Sequence, residues 1–244
     1  DGTDYALISP KTGKEVRRLD ARTVWIKILT MRLEQGEPYI LFLDTVNKHM
    51  PQFQKDLGLT VKTSNLCSEI TLPTGVDHLG KNRTAVCCLS SLNLNYWEEY
   101  KDNEQFFEDV FMFLDNILQN FIDRAPPELH RAVYSATRER SVGLGVMGWH
   151  DFLQEKMIPF ESSKSLAWNR KVFKHIRQHA DRVSRILAER LGPCPDAEEA
   201  GVMERFACKL SIAPTASISV IAGNASPGIE TITANAYTQK TLSG

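Results

Sequence analysis

The chain of 244 residues carries a formal net charge of −1 and is 42% hydrophobic, so it is long enough to bury a core of its own. A charge this close to zero gives no electrostatic basis for binding nucleic acid or an anionic membrane. No apolar run approaches the roughly 18–20 residues that span a bilayer, and no signal-peptide pattern opens the chain, so neither a membrane-spanning nor a secreted protein is predicted.

The N-terminal part of the chain is predicted to contain a loop, a helix and a buried strand. Residues 1–17 are polar and contain Gly2, Pro10 and Gly13, which predicts a loop or lead-in. A helix capped by Asp20 and stopped by Gly36 and Pro38 follows, because its apolar residues have helical spacing. The next run, Tyr39–Leu43, is apolar throughout and of strand length, which is typical of a buried parallel sheet.

The rest of the chain alternates helices with short apolar strands. Helices are predicted over 104–124, 149–156 and 165–191, and a short strand over 210–213. No repeat or low-complexity linker interrupts the pattern. The sequence therefore predicts the α/β class and a single domain over residues 1–244, with 1–17 as its lead-in.

The segment Asn65-Leu66-Cys67-Ser68-Glu69 places an amide, a thiol and a carboxylate at every second position. The β-favouring residues on either side predict an extended backbone, in which Asn65, Cys67 and Glu69 share one face. A hydrogen-bonding amide, a sulfur and a base on one face form a candidate reaction centre. Taken alone, the segment is better explained as a half-buried strand that carries a structural cysteine.

Glycines at 143, 145 and 148 match the G-x-G-x-x-G spacing of a dinucleotide-binding turn. That fingerprint also requires an acidic residue that closes a second strand about 20 residues further on. Residues 162–168 have instead the pattern of a cap and the start of a long helix. We therefore prefer a tight strand-to-helix turn in which glycines allow close packing.

Small and hydroxylated residues follow the predicted strand 210–213, in the sequence Pro214-Thr215-Ala216-Ser217-Ile218-Ser219. Exposed backbone N–H groups at the start of a helical turn, with the Thr215 and Ser217 hydroxyls, can cradle an anion without any lysine or arginine. Ordinary capping of a helix by Thr or Ser is the alternative.

Cysteine usage indicates a reducing compartment. The five cysteines are an odd number in a long chain and none has C-x-x-C spacing, so we expect free thiols, a cytoplasmic protein and no metal site. They are Cys67, Cys87, Cys88, Cys194 and Cys208.

The sequence resembles the large, catalytic subunit of ribonucleotide reductase, most closely that of class I. The resemblance is carried by three segments together: Asn-x-Cys-x-Glu at 65–69, the run from Cys87 to Leu94, and the Pro-Thr-Ala-Ser turn at 214–217. The resemblance implies part of a ten-stranded α/β barrel that reduces ribonucleoside diphosphates to deoxyribonucleotides by thiyl-radical chemistry. It further implies a radical from a separate small subunit with a metal centre and reduction by thioredoxin or glutaredoxin. No cofactor is expected on this chain itself.

The same resemblance implies a role for each motif residue. Cys67 becomes the thiyl radical that abstracts the 3′ hydrogen, Glu69 takes the 3′-hydroxyl proton, and Asn65 hydrogen-bonds the sugar hydroxyls. Cys87 supplies reducing power as the 2′-hydroxyl leaves as water, and Cys88 is a buried spectator. The implied substrate-binding residues are Asn65, Leu66, Cys67, Ser68, Glu69, Pro214, Thr215, Ala216, Ser217 and Ile218.

Features of that family are missing from the sequence. No cysteine precedes Cys67 to pair with Cys87, and the effector loops, the N-terminal ATP-binding domain and the C-terminal radical-relay tyrosines are not found. We therefore expect polypeptide partners that carry these parts, and poor solubility and no turnover without them. No nucleic acid or membrane partner is expected.

Three other functions remain open from the sequence. An adenosylcobalamin-dependent reductase of the same fold would need no small subunit. An NAD-dependent oxidoreductase would use the turn Gly143–Gly148. The chain could also be a non-catalytic regulatory or assembly fragment, in which the Asn-x-Cys-x-Glu segment would catalyse no reaction.

Overall fold

The computed structural model describes residues 3–232, 234 and 236, and the chain divides into two compact units, residues 1–42 and 43–244. The prediction of a single domain stays a prediction, and each unit is described by itself. The first unit contains β1 (Asp4–Ile8), β2 (Glu15–Asp20) and α1 (Ala21–Gln35).

The loop predicted over residues 1–17 is wrong, because β1 and the first half of β2 lie there and pair as an antiparallel hairpin. A turn-forming stretch that contains Pro10 and Gly13 separates the two strands, and this is the hairpin signal that the prediction missed. The predicted helix cap is confirmed: the Asp20 carboxylate accepts a hydrogen bond from the Thr23 N–H at 2.7 Å, and α1 ends at Gly36 in the left-handed conformation.

The strand predicted for Tyr39–Leu43 is also wrong. Residues 39–42 form no regular element, and Leu43 is the first residue of a helix. Tyr39 and Phe42 are exposed. A short apolar run does not by itself distinguish a strand from other structures, since a strand needs a neighbour for its backbone hydrogen bonds.

The second unit begins with short helices and small strands and continues with the long helices that form its core. Its elements are α2 (Leu43–His49), α3 (Gln52–Asp56), β3 (Gly75–Val76), β4 (Asn82–Arg83), β5 (Leu89–Asn93), α4 (Trp97–Tyr100), α5 (Glu104–Arg124), α6 (His130–Glu139), β6 (Gly143–Met147), α7 (Trp149–Glu155), α8 (Ser163–Leu191), α9 (Pro195–Glu199) and α10 (Ile218–Ile221).

The two longest helices, α5 and α8, confirm the predicted spans to within two residues. Both start at capping side chains: Asn103 accepts from the Phe106 N–H at 3.1 Å, and Ser162 accepts from the Ser165 N–H at 3.2 Å. Their apolar faces pack on the β5–β6 strands and bury the main hydrophobic core. Within the described part of the chain, no helix is both long and apolar enough to cross a bilayer.

A parallel ladder forms the centre of this unit. Strands β5 and β6 pair in parallel, with Leu89 opposite Gly143 and Asn93 opposite Met147. The segment 208–211 lies along the other edge of β6, where the Val142 N–H donates to the Cys208 carbonyl at 2.9 Å. The strand predicted over 210–213 is realised only as a single parallel bridge between Leu144 and Leu210.

The described residues thus form a mixed helix-and-strand architecture with a parallel ladder, and no closed barrel is found among them.

The glycines of β6 allow the segment 208–212 to lie directly against the strand. A methyl group built on Gly145 would overlap the Ser211 carbonyl oxygen and lie 3.1 Å from the Ile212 Cα, and one on Gly143 would lie 2.8 Å from the Ser211 Cβ. The close-packing interpretation is confirmed. The dinucleotide interpretation loses its support, because α8 occupies the position where the second strand would have to be.

We predict that Gly145→Ala destabilises the protein by about 1–3 kcal/mol, the usual cost of overpacking. The added methyl group meets main-chain atoms of Ser211 and Ile212, which cannot rotate away as a side chain could. Thermal and denaturant unfolding measure the change. Lys174→Ala, on the exposed face of α8, is the control, and equal stability of the two variants would contradict the packing account.

Candidate functional site

The Asn65–Glu69 segment is a tight turn, and the predicted extended strand is wrong. The Ser68 N–H donates to the Asn65 carbonyl at 3.1 Å, and Ser68 has a φ of 63°. The Asn65 side chain accepts from the Ile70 N–H at 3.0 Å and donates to the Glu69 carboxylate. An asparagine side chain can compete for nearby backbone groups in this way, which favours a turn over a strand.

The turn still brings the amide and the carboxylate together, although through local hydrogen bonds and not through a shared strand face. Cys67 lies at the tip of the turn and is exposed, as are Asn65 and Leu66. Glu69, at the end of the turn, is half-buried. The Cys67 thiol is therefore accessible to a molecule that approaches the turn, whereas the Glu69 carboxylate is hydrogen-bonded to the Asn65 amide.

A cavity with about 340 Å³ of space, part of it open to solvent, lies behind Glu69. Its walls come from the end of the turn, the chain leading into β5, the start of β6 and the segment 208–211. The polar and sulfur-bearing residues that line it are Glu69, Thr71, Cys87, Cys88, Ser141, Cys208 and Ser211. Two of the sequence-predicted residues, Glu69 and Cys87, therefore meet at one cavity.

The Cys87 thiol is kept neutral by its position. Partial desolvation raises the pKa of Cys87, and the negative charge of Glu69 raises this pKa further. Cys88, by contrast, points into the core, where its thiol lies 3.6 Å from the Leu114 carbonyl oxygen. Both cysteines line the cavity, but Cys87 is exposed whereas Cys88 is buried. The role of Cys87 as the reducing cysteine stays a prediction.

Cys208 cannot form a disulfide with Cys87 or Cys88 in this arrangement. Because β6 accepts these two segments on its opposite edges, we expect their Cα atoms to be two strand spacings apart, about 9.5 Å. A disulfide requires Cα atoms closer than about 7 Å. All five cysteines are free thiols. A redox partner for Cys87 is therefore not supplied by Cys208.

The predicted anion-binding turn forms one short turn of helix. Thr215 has a φ of 55°, and its carbonyl accepts from the Ser219 N–H at 3.0 Å. The N–H groups of residues 216–218 meet no acceptor in the part of the chain that the structure describes. The Thr215 hydroxyl accepts from the Gly228 N–H at 2.7 Å, so it helps to hold the turn. The Ser217 side chain is exposed.

A buried cluster of charges fixes the hairpin that precedes Cys87. Arg83 donates to Asp77 at 3.0 Å and to Asp196 at 2.8 Å, and Tyr134 donates to Asp77 at 2.7 Å. Burial alone raises the pKa of Asp77, but hydrogen bonds from Tyr134, the Lys81 N–H and Arg83 outweigh it and bring this pKa to about 2. No local sequence pattern reveals this cluster, because its members lie far apart in the chain.

Glu139 is a second feature that the sequence did not reveal. It is 1% exposed, and its carboxylate accepts hydrogen bonds from the Ser141 hydroxyl at 3.0 Å and from the Gln54 amide at 3.4 Å. Burial raises the pKa of Glu139 to about 7, against the smaller opposing effect of the Arg83 charge. The Gln54 carbonyl oxygen is buried without a donor among the described residues, and a protonated Glu139 can supply one.

No group of three or more histidine, cysteine or acidic side chains suited to a metal ion occurs among the described residues.

We predict that the free energy of unfolding falls as the pH rises from about 4.5 to about 7, through the titration of Glu139. Its pKa is higher in the folded state than the ordinary value of 4.5, so the stability it contributes is complete below that value and lost as the pH passes about 7.

The variant Glu139→Gln should remove this part of the pH dependence and be more stable than the wild type above pH 7, because a neutral amide can also donate to Gln54. Denaturant unfolding at several pH values measures the slope. Glu198→Gln, on the exposed side of α9, is the control. An unchanged slope in Glu139→Gln would show that Glu139 does not titrate in this range.

Comparisons with known proteins agree with the motifs. Residues 3–204 match the family model described as "Ribonucleotide reductase, barrel domain". The chain is 49% identical over 240 residues to the ribonucleoside-diphosphate reductase large subunit of Invertebrate iridescent virus 3, which covers 98% of this chain and 37% of that protein. It is 41% identical over 246 residues to a putative large subunit of Frog virus 3, which covers 100% of this chain and 42% of that protein.

A solved structure is similar as well. The class Id ribonucleotide reductase alpha subunit of Actinobacillus ureae superposes with a TM-score of 0.79 at 40% identity, covering 86% of this chain and 39% of that chain. A vitamin B12-dependent reductase of Thermoplasma acidophilum is less similar, at 32% identity. The chain spans well under half the length of each of these relatives. The resemblance drawn from the motifs is confirmed, and the chain belongs to the ribonucleotide reductase barrel-domain family.

Proposed function

We propose that this chain carries the substrate-reducing centre of a ribonucleoside-diphosphate reductase. The observation that carries the proposal is the convergence of three segments. The turn at Cys67 presents an exposed thiol beside the Asn65–Glu69 pair, and Glu69 reaches the cavity that Cys87 lines. The segment after Ser211 leads to a turn whose N–H groups at 216–218 have no acceptor among the described residues. Each of these parts has a distinct use in removing a hydroxyl from a ribose.

The reaction begins at Cys67. Its sulfur, as a thiyl radical, takes a hydrogen atom from C3′ of the ribose, so that the C3′–H bond breaks and an S–H bond forms. The Glu69 carboxylate takes the 3′-hydroxyl proton, while the Asn65 amide orients the sugar hydroxyls. The direct contact between the Asn65 amide and the Glu69 carboxylate supports this pairing of roles.

The 2′-hydroxyl then leaves as water after it accepts a proton. Cys87 and a second thiol together supply two electrons and two protons, and Cys67 finally returns its hydrogen atom to C3′. The net change is one ribonucleotide and one dithiol converted to one deoxyribonucleotide, one water and one disulfide. A neutral Cys87 thiol suits this hydrogen-donating role, and its raised pKa supports it.

The second thiol and the radical are proposed to come from outside the described residues. A small subunit with a metal centre supplies the radical, and thioredoxin or glutaredoxin restores the dithiol. The relatives named as large subunits support the small-subunit partner. The adenosylcobalamin-dependent alternative has weaker support, because the corresponding relative is less similar. Activity with added small subunit and none with adenosylcobalamin would separate the two.

We further propose that residues 1–244 belong to one barrel domain of ten strands, in which β5, β6 and the segment at Leu210 are three parallel neighbours. The parallel ladder across β6 supports this arrangement. The chain's five free cysteines fit the reducing cytoplasm.

We predict that Cys67→Ser abolishes nucleotide reduction in the assembled reductase and leaves substrate binding nearly unchanged. Serine keeps the size and hydrogen-bonding ability of cysteine, but an O–H group cannot act as the reversible hydrogen carrier. Cys88→Ser is the control, because its hydroxyl can still donate to the Leu114 carbonyl in the core. Formation of deoxyribonucleotide is the readout, and turnover above a few per cent in Cys67→Ser would refute the assignment.

For the base, Glu69→Gln should reduce turnover by roughly 10²–10⁴-fold, the usual contribution of general acid–base catalysis. Glutamine retains the contact with Asn65, so a structural role alone would leave the rate nearly intact.

We predict that the turn 214–218 binds the substrate diphosphate mainly through main-chain N–H groups. Ser217→Ala should weaken binding by about 1–2 kcal/mol, or roughly 5- to 30-fold. Ala216→Pro should weaken it more, because it removes one of the free donors. The affinity for the nucleoside without phosphate should be unaffected by Ser217→Ala. Equal wild-type affinity for nucleoside and nucleoside diphosphate would contradict the cradle.

A further inference from the structure

Ser211 ties the catalytic turn to the parallel ladder. Its hydroxyl donates to the main-chain carbonyl of Glu69 at 2.7 Å, across a sequence separation of 142 residues. Ser211 also lines the cavity that Glu69 and Cys87 share. The bond joins the residue proposed as the base to the segment that continues into the diphosphate-binding turn.

Ser211 is itself held firmly. Its N–H donates to the Leu144 carbonyl at 3.2 Å, and its carbonyl oxygen occupies the space that a side chain on Gly145 would fill. The hydroxyl therefore projects from a main chain that β6 fixes in place. A donor mounted on a fixed strand can position its acceptor, whereas one on a mobile loop could not.

The turn keeps its own shape without this bond. The Ile70 N–H still donates to Asn65, and the Ser64 hydroxyl still donates to the Ile70 carbonyl at 2.6 Å. Loss of the Ser211 hydroxyl would thus leave the turn folded but would release its end, at Glu69, from the ladder. The carboxylate would then be less well placed relative to the cavity and the thiol of Cys67.

We propose that Ser211 is a positioning residue for the reduction reaction, which fixes the Glu69 main chain so that the carboxylate stays aligned with the substrate hydroxyl. The inference rests on the proposed function of Glu69 as the base. Misplacement of a reacting group by about 1 Å can cost on the order of 100-fold in rate. Ser211→Ala should therefore lower kcat by about 10- to 100-fold and change KM by less than about threefold.

The test compares Ser211→Ala with Ser90→Ala in the assembled reductase. Ser90 lies on β5, two strands away on the same ladder, and its hydroxyl has no partner among the described residues. We expect wild-type kcat for Ser90→Ala. A wild-type kcat for Ser211→Ala would overturn the proposal.

A double-mutant cycle separates positioning from general destabilisation. If Ser211 acts through Glu69, Ser211→Ala should cost little further rate in a Glu69→Gln background, measured by product formation in a single turnover. The same fold loss in both backgrounds would overturn the proposal, because it would show that Ser211 acts independently of the carboxylate.

Hydrogen exchange of the segment 65–70 provides a readout that does not depend on turnover. Faster exchange in Ser211→Ala than in Ser90→Ala is expected if the bond restrains the turn, and equal exchange would overturn the proposal. A wild-type protein that reduces no ribonucleotide would refute the proposed function, while the exchange comparison would still decide whether Ser211 restrains Glu69.

Discussion

The close approach of residues 208–212 to β6 is the constraint on which the site depends. It is possible because Gly143 and Gly145 have no side chains, so that main-chain atoms of Ser211 and Ile212 occupy the space that a Cβ would take. The parallel pairing of β5 with the other edge of β6 then places Cys87 at the same cavity as Ser211. From Ser211 one hydrogen bond reaches Glu69, and a few residues further on lies the turn at Thr215. One glycine-containing strand thus sets the relative positions of the proposed base, the proposed reducing thiol and the segment that leads to the proposed anion-binding turn.

Burial and nearby negative charge favour the neutral thiol at two of the cysteines that line the cavity, Cys87 and Cys208. Burial and the Glu69 charge raise the pKa of Cys87, and burial raises the pKa of Cys208 to about 12. A neutral thiol is the form that donates hydrogen atoms, whereas a thiolate is a nucleophile. The cations nearby, such as Arg83, are already paired with buried carboxylates and brace the hairpin before Cys87. The charged network therefore supports the scaffold, and the proposed site consists of amide, carboxylate, thiol and main-chain N–H groups.

The sequence predicted the long helices, the role of the β6 glycines and the ribonucleotide reductase family, because these depend on periodicity and on motifs of a few residues. It did not predict the shape of the Asn65–Glu69 segment, since β-favouring neighbours were outweighed by hydrogen bonds from the Asn65 side chain. The Tyr39–Leu43 run was misassigned because composition does not show whether a neighbouring strand exists. Contacts such as Ser211 with Glu69 or Arg83 with Asp196 join residues more than 100 positions apart in the chain. Such contacts cannot be predicted from local sequence patterns.

The central claim is that one substrate molecule contacts the turn at Cys67 and the turn 214–218 at the same time. The most direct measurement is a crystal structure of the assembled reductase with a ribonucleoside diphosphate bound. The account predicts diphosphate oxygens within about 3 Å of the N–H groups of residues 216–218, and the Cys67 sulfur about 3–4 Å from C3′ of the ribose. A diphosphate bound elsewhere, or a ribose whose C3′ faces away from Cys67, would contradict it.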